Sequence, residues 1–205
     1  MRRLIDRIPL QRGSHPSRDD GMCAMEMVSW LAGEAHSDEP ECACPVLAAL
    51  VRACNDAMTD QQRAEHLRPL VPMLVNSRGS AADESRRGLM ALDVMARSLL
   101  PRVLERRGRA EEARLLRSLP AVRDLSGASA ARSAVASFVR DQRAASWVLD
   151  RAVEGAPAQR YVAGVVQVAR ALGDRAAWTE LTELVTQMVA AQAPAAAPSQ
   201  PVQAR

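Results

Sequence analysis

Cysteine carries the most chemistry in this sequence, and its four copies, Cys23, Cys42, Cys44 and Cys54, all fall in the first third of the chain. His36 lies six residues before Cys42. Cys23, His36, Cys42 and Cys44 together offer enough nitrogen and sulfur for a tetrahedral zinc. The spacing argues the other way. Paired zinc ligands usually have about two to four residues between them, whereas C-x-C has one and lacks a second pair. Small thiols buried near helix ends are the simpler reading. Cys44 also stands just before Pro45 and a helix start, where the helix dipole lowers a thiol pKa. His36 would be its base, yet nothing in the spacing holds the two together.

Around these cysteines lies a candidate binding set: Glu26, Trp30, Glu34, His36, Asp38, Asn55 and Asp56. Glu26 has Met, Val and Trp as helix neighbours. Such a carboxylate points to solvent, the commoner outcome, or is buried against an arginine or backbone N–H groups. His15 and His66 read most simply as exposed. The methionines fall mostly at helix core positions, where gap filling explains them better than copper or haem. The chain has no G-x-G-x-x-G, Walker loop, H-E-x-x-H or G-x-S-x-G, so those enzyme classes have no support.

The elements that position these residues are helices. Met22, Met25, Val28, Leu31 and Ala32 recur at helical spacing from Gly21 onward, and the pattern stops between Ser37 and Pro40. Residues 34–45 (EAHSDEPECACP) form a polar loop, acidic over 34–42, and Pro45 fits the first position of the next helix. That helix carries Val46, Leu47, Leu50, Val51 and Cys54 and ends at Asn55-Asp56. Thr59 or Asp60 caps a third helix, which Pro69 and Pro72 should break near residue 68. Asp83 and Glu84 suit the first turn of a long helix that Pro101 kinks and Gly108 ends. Residues 110–119 form a short helix, and Asp124–Ser129 reads as linker and cap. Three further helical patterns carry Trp147, Tyr161 and Trp178. The two tryptophans read as core anchors among alanines.

The expected fold is all-α, with about eight helices in an irregular bundle or short helical stack. Residues 1–20 read as a flexible leader, 21–125 as the motif-bearing helical region, 126–190 as an Ala-rich helical region packed on the first, and 191–205 as a disordered Ala/Pro-rich tail. In 205 residues, lysine is absent and all 27 basic residues are arginine, set against 24 acids. The arginines interleave with acids, which reads as solvated helix faces rather than a nucleic-acid groove. No apolar run is long enough to span a membrane. A cytoplasmic protein with reduced thiols is expected.

The string Gly21-Met22-Cys23-Ala24-Met25-Glu26, then Leu31-Ala32-Gly33-Glu34, Ser37-Asp38, Pro40, Cys42, Pro45-Val46-Leu47 and Asn55-Asp56, is joined by Leu70 to Val75 and Ser77-Arg78. It resembles a group of actinobacterial and actinobacteriophage helical proteins sharing G-C-x-M-E, A-G-E-x-x-S-D-x-P-x-C and P-V. The resemblance spans residues 21–125. Many members continue into Ala- and Trp-rich helical repeats, and some are described as immunity proteins. Here Met22-Cys23 shifts the usual Cys-x-Met order, His36 and Glu39 stand where an aromatic and a His are common, and the last third lacks dense A-A-W repeats.

These observations lead to a non-enzymatic helical protein that acts through a protein partner, with an immunity- or phage-related role as one version. The alternative is a metal-binding protein or metal-dependent enzyme using zinc at Cys23, His36, Cys42 and Cys44. Association with DNA through arginine-rich faces is a minor third reading.

Overall fold

Helix α1 (Ala24–Ala32) starts three residues later than the apolar pattern, because Cys23 and Glu26 close a capping box at its first turn. It ends at Gly33 in the left-handed conformation that lacks a Cβ penalty. The computed structural model describes residues 7–138 and 142–191. Helix α2 (Pro45–Ala57) opens on Pro45 as expected and runs slightly past Asn55-Asp56. Thr59 caps α3 (Asp60–Gln62), whose backbone passes through a π turn (Arg63–Leu67) and a 3₁₀ turn (Arg68–Leu70) into α4 (Val71–Leu74). This is the break expected near residue 68. Pro69 and Pro72 lack N–H groups, so regular α bonding cannot run through them.

Pro101 acts in the same way. Helix α5 (Ala81–Val94), capped by Ser80 and Asp83, widens into a π turn (Met95–Leu99) before α6 (Leu100–Arg106). The wider turn accommodates a ring that a regular helix would drive against a carbonyl one turn back. Helix α7 (Ala110–Ser118) packs on α6. Helix α8 (Leu125–Phe138) begins inside the segment read as linker: Asp124 caps it by accepting from the Gly127 N–H at 2.8 Å. Helix α9 (Arg143–Val153) packs on α8, a 3₁₀ turn (Ala158–Arg160) follows, and α10 (Ala163–Leu172) and α11 (Arg175–Ala190) complete the fold. No β-strand occurs among the described residues, and none of their helices is long and apolar enough to cross a membrane.

One buried apolar cluster runs from Leu10 to Met188, so the two helical regions contribute to the same core. Helix α10 lies on α2, and α11 contacts α5. Arg87, only 1% exposed, crosses between them: its Nε donates to the Met188 carbonyl and Nη1 to the Ser77 carbonyl, both at 3.0 Å. At Gly88 a Cβ would stand 2.6 Å from the Ala158 Cβ and 2.7 Å from the Tyr161 hydroxyl, so only glycine lets the 3₁₀ turn approach α5 this closely.

Three expectations need correction. Residues 7–20 of the expected leader are docked: Leu10 is buried in the core and the backbone is bonded to the helices beneath. Residues 1–6 and 192–205 lie outside the described residues. His66 is buried, not exposed: the π turn that carries it lies against α2 and α11. Trp178 is a core residue, but Trp147 is 46% exposed on α9. Its ring lies over Gly164 of α10, where a Cβ would stand 3.3 Å from Cε3 and Cζ3, and nearly half of the residue still faces water.

Candidate functional site

Glu26 is 1% exposed, and its position in the first turn of α1 explains why a carboxylate sits there. Side chains at this position reach back toward the helix start, where backbone N–H groups have no partner in the helix. Oε2 of Glu26 accepts from the Cys23 N–H at 2.7 Å, while the Glu26 N–H approaches Cys23 Sγ at 3.4 Å.

A second set of donors arrives with residues 7–22, which strap across this end of α1. Gln11 N–H bonds to the Met22 carbonyl. The Asn55 side chain accepts from Ala24 N–H and donates to the Gln11 carbonyl at 2.8 Å, joining α1, α2 and the strap. Buried Arg63 donates to the carbonyls of Leu10, Asn55 and Met58. Asp56 accepts from Gly13 N–H at 2.9 Å. Gly21, at φ +134°, lets the strap fold back, and a Cβ there would press on His15 Cδ2 at 2.9 Å.

This fastening delivers His15 to Glu26. The His15 backbone N–H donates to Oε1 at 2.5 Å, and Nδ1 lies 2.8 Å from Oε2. An ionised carboxylate only accepts, so Nδ1 carries the proton. His36 comes from the motif loop: its Nε2 lies 3.0 Å from the His15 carbonyl and 3.7 Å from Glu26 Oε1. Burial alone would raise the Glu26 pKa. The N–H of Cys23 and the N–H and ring of His15 outweigh it and hold the carboxyl below its usual range.

A carboxylate that orients an imidazole through Nδ1 is the geometry of an acid–base dyad. The thiol beside it does not complete one. Burial pushes Cys23 up to about 12, leaving it protonated at neutral pH. Cys44 is fully buried, its N–H donates to Ser77 Oγ, and His36 spends Nε2 on the His15 carbonyl, so the Cys44–His36 pair does not form. The metal set does not assemble either. Among the described residues no group of three or more His, Cys, Asp or Glu side chains is placed to hold a metal ion. The Cys23 side chain caps α1, Cys42 is half-buried in the loop, and Cys44 stands at the N-cap position of α2 without a side-chain capping bond.

The rest of the motif loop is tied down piece by piece. Glu34 turns inward, accepting from the N–H groups of Glu41 and Cys42 at 2.7 and 2.8 Å. Ser29 Oγ donates to the Ser37 carbonyl. Asp38 and Glu39 face Arg52 of α2, Glu39 at 2.9 Å. The Arg78 N–H bonds to the Cys42 carbonyl. Trp30, half-buried, carries the Arg18 guanidinium 5.0 Å above its ring. Of the candidate set, therefore, Glu26 and His36 come within 3.7 Å of each other and the chain neighbours Asn55 and Asp56 touch at 3.4 Å, while the others stay apart. Asn55 and Asp56 hold the strap, Glu34 closes the loop, and Asp38 and Trp30 pair separately with arginines. Sequence reasoning read His15 as exposed, whereas its side chain is only 11% exposed against Glu26, and it passed over Arg52 and Arg63. The Asn55-Asp56 pair was the available signal, since polar residues ending an apolar helix must bond to something outside it. Comparison with family models, curated proteins and solved structures returns no match.

Proposed function

We infer that this protein works by binding another protein through the face built by α7, α8 and α9. The observation that carries this reading is the exposure of Trp147. The chain has three tryptophans, one tyrosine and one phenylalanine, yet leaves this ring 46% exposed. The other large apolar side chains exposed among the described residues are Leu125 at 61% and Leu115 at 42%. All three lie on successive helices that pack on one another. Large rings on a surface of small residues are the usual anchors of protein interfaces.

An immunity-type role, in which the partner is a protein held inactive, is one version of this reading. A cytoplasmic setting agrees with the four free cysteines.

The test compares the wild type with Trp147→Ala and Leu125→Ala by crosslinking and co-purification from native extract, with circular dichroism confirming the fold. A partner retained by the wild type and lost by both variants supports the reading. A partner profile unchanged by both substitutions refutes it.

A further inference from the structure

A cleft of about 390 Å³ opens on the outer side of the motif loop, where the loop faces the 3₁₀ turn Ala158–Arg160. Its charged rim is Arg52, Arg78 and Glu39, its floor is Pro45 and Ala48 of α2, and Gln159 closes it from the C-terminal region. The volume lies within the range of small-ligand sites. We propose that this cleft binds a small organic oxyanion carrying a hydroxyl group, with Arg52 and Arg78 holding the anion and Gln159 receiving the hydroxyl.

Three observations carry the proposal. The first is the pair of guanidiniums brought to one cleft by different elements, α2 and the segment after α4. Planar guanidinium groups match carboxylate and phosphate oxygens. Both are pre-positioned by backbone carbonyls of the same loop: Arg52 Nη1 donates to Asp38 at 2.9 Å and Arg78 Nη1 to Glu41 at 3.0 Å. The second is Glu39. Its carboxylate lies 2.9 Å from Arg52 Nη2 while its side chain is 73% exposed. A pair so wet is weak, so an incoming anion can take its place on Arg52. The third is Gln159. Its Oε1 is buried with no hydrogen-bond partner, and the residue lines the cleft. An orphaned buried acceptor needs a donor, and once the amide turns toward the cleft a hydroxyl on the ligand supplies one.

The experiment uses the full chain and three probes: inorganic phosphate, glycerol 3-phosphate and malate. Binding is followed by NMR shifts of the Arg52 and Arg78 Nε–H groups and by calorimetry. Glycerol 3-phosphate or malate should saturate these signals, and which of them does so identifies phosphate or carboxylate as the anion. Inorganic phosphate lacks the carbon-borne hydroxyl and should bind more weakly. Removing one charge-assisted contact in Arg78→Gln should weaken binding roughly tenfold. Glu39→Gln removes the nearer of the two carboxylates that face Arg52, leaving Asp38 at 3.9 Å, without touching the loop's backbone bonds, so it should tighten binding roughly threefold or more. Gln159→Leu should bring the hydroxylated probes down to the affinity of inorganic phosphate. No saturable shift at either arginine with any probe at 20 mM overturns the proposal. So does binding that Arg78→Gln and Glu39→Gln both leave unchanged, because that is diffuse attraction to an arginine-rich surface.

Discussion

Replacing Glu26 by glutamine tests whether the carboxylate–histidine cluster holds the strap to the helices. Glu26 accepts three N–H bonds, from Cys23 N, His15 N and His15 Nδ1. Each bond to an ionised, buried acceptor contributes roughly 1.5–3 kcal/mol net. Glutamine keeps one carbonyl oxygen but turns an NH₂ group toward at least one of those donors. The expected loss is roughly 2–4 kcal/mol, since one or two bonds go and a buried donor is left unsatisfied. For a chain of this size that corresponds to a fall in Tm of roughly 5–15 °C. The carboxyl is held below its usual range in the folded protein, so the stability it supplies is present above the unfolded value of about 4.3 and fades as pH falls through the folded one. Asp174, Glu105 and Glu112 are also held low and titrate in both proteins, so the difference between the two acid curves isolates Glu26. Thermal unfolding followed by circular dichroism from pH 7 to pH 3 gives both numbers. Hydrogen exchange at Gln11 and His15 should quicken in Glu26→Gln before global unfolding. A variant within 2 °C of the wild type, with the same acid slope, would refute the reasoning.

Asn55→Ala frees the Ala24 N–H and the Gln11 carbonyl together, and chemical denaturation should show a loss of roughly 2–4 kcal/mol. Gly88→Ala presses a methyl group on Ala158 and Tyr161, and the same assay should show a loss of roughly 1–3 kcal/mol. Burial pushes Cys23 and Cys54 up to about 12, so neither should react with iodoacetamide at pH 8 in the native protein while both react in urea, as read by mass spectrometry. Acrylamide should quench Trp147 more readily than Trp178, and Trp147→Phe should remove the most quenchable part of the emission.

The tie between Glu26 and His15 also explains why a short segment rich in Gly, Ser and charge is docked at all. Its apolar content is little more than Ile8, Leu10 and Met22, which pack on or within the core. Polar anchors do the rest: Asn55, Asp56, Arg63 and Arg68 each bond to strap backbone. Composition marks such a segment as unable to fold by itself, and that is correct of the segment alone. Nothing in residues 1–20 shows that four side chains from elsewhere are arranged to receive it.

Local chemistry settled much of this molecule before any folding was considered. The 3.6-residue spacing of Met25, Val28, Leu47, Leu50, Leu92 and Leu99 fixes helices, and Pro45, Pro101 and Gly108 fix where they begin, widen or stop. These effects act within a turn or two of chain, so they are legible in one dimension. The site was legible only as a neighbourhood. Glu26, His36, Asp38 and Asn55 were marked as a group, but which of them meet depends on how α1, α2 and the strap cross, and so on packing between residues tens of positions apart. The same holds for Trp147 and Trp178. Both sit on Ala-rich helices, and only the position of neighbouring helices decides that one ring is enclosed while the other faces water.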